Sequence, residues 1–291
     1  MSQFTSVLLL CLFFNSTVAI QKEDRPGLLV MAHGGEPEWN QAVNDAVLAL
    51  ADKYPVSVAF GMADPVTLQA AIVDLERLGA TSIGVVRMFI SGRSFLHETQ
   101  YAFGLRSDAP TGNMMNEPKL LDLEVPVMLS EQGLMDVTSL GGILADRAMS
   151  LSNRPERETA LIIGHGPGSD IENEEWLRRM DLMADSVRSV APFRSVQVRT
   201  LREDWTGKRE VVEVELRQLV SEESDAGNTV LIIPFRLFGF GPYADVFEGL
   251  EYRADSTGFL PDQRITDWID EQFRDLTTRR RNADSEPKEL D

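Results

Sequence analysis

The sequence contains the same short pattern twice, an apolar run that ends in His-Gly. The first copy, LLVMAHGG, begins at Leu28 and carries His33; the second, LIIGHGPG, begins at Leu161 and carries His165. Roughly five or six apolar residues suffice for a buried strand, and glycine after the histidine permits a turn that a side chain would hinder. Apolar residues at helical spacing follow each turn. A strand, a glycine turn and a helix are therefore predicted at both places.

Each copy opens a longer repeat of strand, helix, strand, helix and strand. The first half has predicted strands at 28–33, 56–60 and 82–90 and helices at 38–53 and 66–78. The second has strands that begin at 159, 195 and 228 and helices at 173–190 and 208–222. Helical crossovers join parallel strands and cover the sheet on both faces. The predicted fold is α/β, with two duplicated βαβαβ halves, parallel sheets and a cleft between the halves.

The predicted halves extend over residues 20–150 and 151–276, followed by a flexible charged tail at 277–291. The tail is charged and lacks hydrophobic periodicity, and the three arginines at 279–281 are interpreted as a solvated helix end rather than a binding patch. Fused halves can form a cleft by themselves, so the cleft needs no partner subunit and a monomer is compatible with the sequence.

The chain begins with an apolar run, Val7 to Phe14, followed by small residues at Thr17 to Ala19. The run is too short to cross a bilayer and fits the core of a signal peptide, so residues 1–19 are predicted to direct export to the periplasm. A short membrane anchor is one alternative. A misassigned start, which would leave the protein in the cytoplasm, is another.

Charge and cysteine content exclude several kinds of chemistry. The formal net charge of −18 argues against nucleic acid or an anionic membrane as the main partner, because both require a basic surface. Cys11 is the only cysteine and lies within the predicted signal peptide. The mature chain would then have no disulfide, thiolate nucleophile or cysteine metal site. Any metal must be held by histidine, carboxylate or backbone oxygen.

The chain has three histidines, and all follow predicted strands. His33 and His165 end the first strand of each half, whereas His97 follows the third strand of the first half. The second half has Tyr243 or Ala244 at the position equivalent to His97. In parallel sheets, ligand sites lie outside the carboxyl ends of the strands. Two imidazoles there suit an open, exchangeable metal site, and structural histidines are the alternative.

The sequence resembles the CbiX/SirB-like chelatases, which insert cobalt or iron into sirohydrochlorin. The resemblance rests on the strand that ends in His33-Gly34 with PEWNQAV after it, on the segment SGRSFLH from Ser91 to His97, and on the duplication. It covers roughly residues 28–250. Two departures are the Gly35-Glu36 pair, where the family has Ser-Arg, and Arg87, where it has a proline.

The resemblance implies a sirohydrochlorin cobaltochelatase- or ferrochelatase-like lyase that serves cobalamin or siroheme synthesis. Co²⁺, Fe²⁺ or Ni²⁺ would be a substrate, the partner would be a tetrapyrrole, and no organic cofactor would be needed. His33 and His97 would hold the metal and carry out the catalysis, with Glu98 or Glu36 as proton partner. The anionic rim of the macrocycle would be bound by a polar set: Arg93, Arg87, Ser91, Gly92 and Arg106. Phenylalanines 89, 95, 238 and 240 would face the ring.

Two other functions are compatible with parts of this pattern. An exported protein that binds a metal or a tetrapyrrole without turnover would need the same ligands. A hydrolase would need a nucleophile elbow, and no G-x-S-x-G motif occurs in the sequence.

Overall fold

The computed structural model describes residues 23–111 and 117–285. The predicted signal peptide at 1–19, and Cys11 with it, lies outside the described residues. Within the described residues, no helix is long and apolar enough to cross a membrane.

The first half is a four-stranded parallel sheet with the order β2-β1-β3-β4. Asp64 caps one of its helices, since its carboxylate accepts a hydrogen bond from the Val66 amide at 2.9 Å. The elements, in chain order, are β1 (Pro26–Ala32), α1 (Pro37–Leu48), β2 (Val56–Phe60), α2 (Pro65–Arg77), β3 (Ser82–Met88), α3 (Leu96–Ala102) and β4 (Val127–Leu129).

The second half is another four-stranded parallel sheet, with the order β6-β5-β7-β8. Three short 3₁₀ turns precede it, at Leu134–Asp136, Thr138–Leu140 and Pro155–Arg157. Its elements are α4 (Gly141–Leu151), β5 (Glu158–Gly164), α5 (Asp170–Val190), β6 (Ser195–Thr200), α6 (Thr206–Asp225), β7 (Thr229–Phe235), α7 (Tyr243–Val246), β8 (Arg253–Ala254) and α8 (Gln263–Ser285). The matching strand orders confirm the predicted α/β fold of two duplicated parallel halves.

The two halves exchange helices. Helix α4, which ends at the predicted boundary between the halves, packs on α5 and β7 of the second half. Helix α8, at the end of the chain, packs on β3 and β4 of the first sheet and on α1. Gly84 of β3 leaves room for Phe273 of α8, because a Cβ at Gly84 would lie 2.7 Å from two ring carbons of Phe273. The core between the sheets therefore contains residues from both halves.

The end of the described chain differs from the expected loose tail. Helix α8 continues to Ser285, and Leu276 and Thr277 on it are buried. Arg281 donates to the carboxylate of Asp24 at 2.9 Å, and Arg280 lies 3.3 Å from the same carboxylate. Apolar packing followed by ion pairs thus extends the helix nine residues beyond position 276.

Candidate functional site: a cleft between the two sheets

Both central strands end at the same kind of turn. His33 follows β1 and His165 follows β5, and each is succeeded by a glycine with positive φ, 84° at Gly34 and 75° at Gly166. A Cβ at Gly166 would lie 2.5 Å from the Cβ of Thr200, so this turn cannot hold a larger residue without moving β6. The turns bring both histidines to the carboxyl edge of their sheets, as predicted.

A cleft of about 1020 Å³ opens between these edges, and His33 and His165 both line it. Its apolar lining includes seven aromatic residues, among them three of the four tryptophans in the sequence. The aromatic residues are Trp39, Phe89, Phe95, Trp176, Trp205, Phe235 and Phe238. Large apolar clefts with a few convergent polar groups are the usual form of small-molecule sites, and this volume is at the large end of their range.

His165 has acceptors next to both ring nitrogens. Its Nδ1 lies 2.7 Å from the carbonyl oxygen of Gly166, and its Nε2 lies 3.1 Å from Oδ2 of Asp204. The Trp205 ring meets the imidazole edge to face, with 6.0 Å between ring centres. When Nδ1 carries the proton, Nε2 has a free lone pair, and this lone pair lies next to the carboxylate of Asp204. An imidazole nitrogen and a carboxylate oxygen then form a pair of donors that suits a divalent metal.

His33 occupies the equivalent position but has different surroundings. Its Nδ1 lies 2.9 Å from the carbonyl oxygen of Gly34, which fixes the ring as Gly166 fixes His165. Over residues 23–111 and 117–285, no carboxylate forms an ion pair with His33. Its side chain is exposed, so Nε2 is accessible both to solvent and to a molecule in the cleft. The two histidines are therefore equivalent in backbone position and distinct in chemistry.

The structure does not bring His97 to the cleft. Phe95 adopts a left-handed conformation with φ of 53°, and α3 begins at the next residue, Leu96. In the first turn of α3, Leu96 lines the cleft and His97 does not. The ring of His97 instead meets Asp108, with Nε2 2.9 Å from the backbone oxygen and 3.3 Å from Oδ2. The expected pairing of His33 with His97 across the cleft is absent in this conformation.

Neither predicted proton partner lines the cleft: Glu98 lies on α3 beside His97, and Glu36 precedes α1. Arg106, expected near the macrocycle, pairs with Asp108 at 2.7 Å.

Tyr243, the residue near the position equivalent to His97, is part of the core. It is fully buried and donates a hydrogen bond to the carbonyl oxygen of Ile163 at 3.0 Å. Burial raises the pKa of this phenol, and the neighbouring Glu203 raises it further. Tyr243 therefore remains neutral and is no metal ligand. Phe240 packs on Tyr243 and Tyr252 rather than lining the cleft.

Arg87, expected to bind the substrate, is completely buried and does not line the cleft. It donates to the backbone oxygen of Gly92 at 2.8 Å and to that of Ser94. Burial lowers the pKa of the guanidinium to about 10, although the carboxylates of Glu131 and Glu98 oppose the decrease. Arg87 therefore fixes the 91–95 loop from within instead of binding a ligand.

Arg93, Ser91 and Gly92 do line the cleft, in agreement with their predicted location. The Oγ of Ser91 accepts a hydrogen bond from the Arg93 amide at 3.2 Å. A Cβ at Gly92 would lie 2.3 Å from the backbone oxygen of Glu131 and 2.9 Å from the amide of Gly133. Glycine is therefore required at position 92 because two loops meet there backbone to backbone.

Several polar residues of the cleft were not identified from the sequence. Arg236, after β7, donates to Glu203 at 2.5 Å, and this carboxylate raises the pKa of the guanidinium against the effect of burial. Arg179 of α5 pairs with Asp136 and with Glu175. The run Arg202 to Trp205 begins two residues after the end of β6, so the rule that placed the histidines at strand ends could have found Asp204 as well.

Within the described residues, no group of three or more histidine, cysteine, aspartate or glutamate side chains has the geometry of a metal site.

Three solved structures share this fold. The sirohydrochlorin chelatase SirB from Bacillus subtilis subspecies spizizenii, in complex with cobalt, matches with a TM-score of 0.58 and 12% identity over 89% of this chain and 97% of that chain. SirB from Bacillus subtilis with Fe3+ matches with a TM-score of 0.61 and 16% identity over 89% and 98%. A multi-domain protein from Deinococcus radiodurans, described as structurally similar to chelatases, matches with a TM-score of 0.52 and 15% identity over 86% of this chain and 55% of that chain.

No protein-family model matches the sequence, and no curated protein matches it significantly. The structural matches show the fold: the chain has the fold of the sirohydrochlorin chelatases.

Proposed function

We propose that the protein inserts a divalent metal ion into a tetrapyrrole held in the cleft. The observation that carries the proposal is the pair His33 and His165, which end equivalent central strands and line one aromatic cleft of about 1020 Å³. The shared fold with chelatase structures that contain cobalt or Fe3+ supports it. Co²⁺ or Fe²⁺ is the proposed metal, and sirohydrochlorin or a related tetrapyrrole is the proposed acceptor.

In this proposal His165 and Asp204 hold the incoming ion. Metal–nitrogen and metal–oxygen bonds are each roughly 2.0–2.2 Å long. Nε2 of His165 and Oδ2 of Asp204 are 3.1 Å apart. This distance is less than the combined length of two such bonds, so both atoms can bind the same ion. The Gly166 carbonyl holds the proton on Nδ1 and leaves Nε2 to the metal. Two protein ligands leave the other positions of the ion open to the macrocycle nitrogens.

His33 is the proposed proton acceptor. Insertion of a divalent ion displaces two pyrrole protons, which an exposed imidazole can accept one at a time as a general base and pass on to solvent. The Gly34 carbonyl orients the ring, and the absence of a carboxylate partner within the described residues leaves Nε2 available. The division of roles follows from the one clear difference between the two histidines, the presence of Asp204.

The test uses four variants of the mature chain: His165→Ala, Asp204→Asn, His33→Ala and His97→Ala. Co²⁺ affinity is measured by calorimetry, and insertion is followed by the absorbance of sirohydrochlorin. His165→Ala and Asp204→Asn should weaken Co²⁺ binding by about tenfold or more. His33→Ala should slow insertion with little change in Co²⁺ affinity, and His97→Ala is the matched control.

The resemblance to the chelatases implies a different assignment, with His33 and His97 as the metal ligands. Loss of Co²⁺ binding in His97→Ala, with retention in His165→Ala, would support that assignment and refute ours. Tight binding of metal and macrocycle without acceleration over the protein-free reaction would identify a carrier instead of an enzyme.

We also propose that the protein acts outside the cytoplasm. Cleavage after the predicted signal at 1–19 removes Cys11, the only cysteine. A thiol reagent should therefore label nothing on the protein recovered from the periplasm or the medium. Full-length protein that is labelled at Cys11 and recovered from the cytosol would contradict export.

A further inference from the structure

One residue between β6 and Asp204 has an uncommon backbone conformation. Arg202 is left-handed, with φ of 61°. This conformation is unfavourable for a residue other than glycine, so it persists only where the surrounding contacts enforce it, often near functional sites. The side chain of Arg202 is 8% exposed and does not line the cleft. Its role therefore has to follow from its contacts inside the protein.

Arg202 bonds to the turn that carries His165, residues 165–168, at three points. Its amide donates to the backbone oxygen of His165 at 2.7 Å. Its guanidinium donates from Nε to the backbone oxygen of Pro167 at 2.5 Å and from Nη2 to that of Gly168 at 2.6 Å. The backbone and the side chain of one residue thus hold the whole turn.

The same residue also anchors the segment that carries Asp204. The Trp205 amide donates to the backbone oxygen of Arg202 at 3.0 Å, so the chain turns tightly around Asp204. The Glu203 amide lies 3.3 Å from the backbone oxygen of His165, which also accepts from the Arg202 amide. The position of Asp204 relative to His165 therefore depends on how Arg202 is bonded.

The turn that follows His33 is held in a different way. Met62 occupies the position equivalent to Arg202, because in both halves the preceding residue donates its amide to the last residue of the central strand. Asn40 of α1 bonds this turn instead, through the amide of Gly35 at 2.9 Å and its backbone oxygen at 3.0 Å. The arginine is thus found in the half in which a carboxylate lies next to the histidine.

We propose that Arg202 is a positioning residue for the metal: it sets the relative position of His165 and Asp204 and thereby determines how tightly the ion is held before transfer. This inference rests on the proposed function, which assigns the metal to that pair. Groups that orient metal ligands commonly contribute about tenfold to a hundredfold to metal affinity. The charge of Arg202 acts in the opposite direction, because a guanidinium near the site repels a divalent cation, although Asp170 at 2.9 Å offsets part of that charge.

The opposite signs of the two effects make the test sharp. Arg202→Met removes the guanidinium and keeps a long side chain. Its Co²⁺ affinity, measured by calorimetry, should fall by about tenfold, whereas loss of the positive charge alone would raise it. Arg202→Lys keeps the charge but cannot bond all the same oxygens, so its affinity should lie between those of the parent and Arg202→Met. Affinity for sirohydrochlorin, measured by quenching of tryptophan fluorescence, should change little in both variants.

Arg217→Met is the matched control. Arg217 of α6 also donates to two backbone oxygens of one loop, those of Val246 at 2.6 Å and Glu248 at 3.1 Å, and it does not line the cleft. Its replacement should leave Co²⁺ affinity unchanged. Arg202→Met combined with Asp204→Asn should weaken Co²⁺ binding by less than the product of the single effects, because both changes act on the same pair of ligands.

The outcomes separate this inference from the proposed function. Co²⁺ affinity of Arg202→Met at or above that of the parent, an equal effect of Arg217→Met, a parallel loss of sirohydrochlorin affinity, or fully multiplicative effects in the double variant would overturn the inference and leave the proposed metal pair in place. If Arg202→Met does not fold, unchanged Co²⁺ affinity in Arg202→Lys would overturn it equally. Unchanged Co²⁺ affinity in both His165→Ala and Asp204→Asn would overturn the proposed metal pair itself and the inference with it.

Discussion

The contact between α8 and the first sheet gives a prediction whose size follows from the structure. Phe273 is fully buried, fits against Gly84 of β3, and meets Tyr54 edge to face with 4.6 Å between ring centres. Replacement of a buried phenylalanine by alanine costs about 3–5 kcal/mol of stability through lost transfer energy and the cavity left behind. Gly84 has no side chain that could move into the cavity. We therefore expect Phe273→Ala to cost about 4 kcal/mol.

Substitution at Gly84 tests the same contact from the other side. A Cβ at Gly84 lies 2.7 Å from the ring of Phe273, so Gly84→Ala should be destabilising by about 1–3 kcal/mol through overpacking. In the Phe273→Ala background the added methyl group enters the cavity instead. The double variant should then be more stable than the sum of the single effects predicts, by about 1 kcal/mol or more.

Free energies of unfolding come from urea titrations followed by circular dichroism. Asp275→Ala provides a control on the same helix. Asp275 is exposed, and among residues 23–111 and 117–285 its one ion pair is with Arg279, which is also exposed. The effect of this substitution should stay within about 0.5 kcal/mol. Additive effects of Gly84→Ala and Phe273→Ala would refute the packing argument. So would a Phe273→Ala effect as small as that of the control.

Two further predictions concern a loop and a buried carboxylate. Gly92→Ala should displace the 91–95 loop from Glu131 and lower the affinity for macrocycles more than the affinity for Co²⁺. Quenching of tryptophan fluorescence by sirohydrochlorin and calorimetry with Co²⁺ measure the two affinities; equal values in variant and parent would contradict the close contact. Burial favours a higher pKa for Asp270, but hydrogen bonds from Tyr54 and Lys53 lower it below the ordinary value. The resulting stability is present above the unfolded-state pKa of about 3.9 and is lost as pH falls through the folded-state pKa, so Asp270→Asn should flatten the acid side of the stability–pH curve measured by urea unfolding.

The architecture could be predicted because its signals are local. Apolar runs that end in glycine turns predicted the central strands of both sheets, and the order of the elements predicted parallel pairing. The exchange of helices could not be predicted in this way. Ile143, Leu144 and Ala148 show that α4 has an apolar face, but nothing in that spacing indicates that the face belongs to the second sheet. The partner of a helix is a long-range property, and the Gly84–Phe273 contact joins residues far apart in the sequence.

The candidate site could be predicted in part for a related reason. The positions of His33 and His165 could be predicted because each follows a strand, and parallel strands end at the same edge of a sheet. This rule does not depend on the direction of the side chain. The direction of the His97 side chain depends on the backbone at Phe95, which has a φ of 53°. Helix α3 begins just after Phe95, at Leu96, one residue before the histidine. A positive φ at phenylalanine has no sequence signature, because most positive φ values occur at glycine. Asp204 was missed because charged residues after a strand are usually solvated.

The register of the sheets shows how the duplicated halves have come to differ at the cleft. In the first sheet Met88 of β3 pairs with Ala32 of β1, and in the second sheet Phe235 of β7 pairs with Gly164 of β5. The residue after Met88 and the residue after Phe235 therefore occupy equivalent positions. In the first half that residue is Phe89.

In the second half the equivalent residue is Arg236, paired with Glu203. The first half also has an arginine, Arg87, but it is two positions earlier, buried, and bound to the backbone oxygens of Gly92 and Ser94. One guanidinium thus fixes a loop behind an apolar wall, whereas the other pairs with Glu203 in the cleft that His165 also lines. Under the proposed function, this asymmetry favours a division of work in which the first half contacts the face of the macrocycle and the second half binds the metal ion.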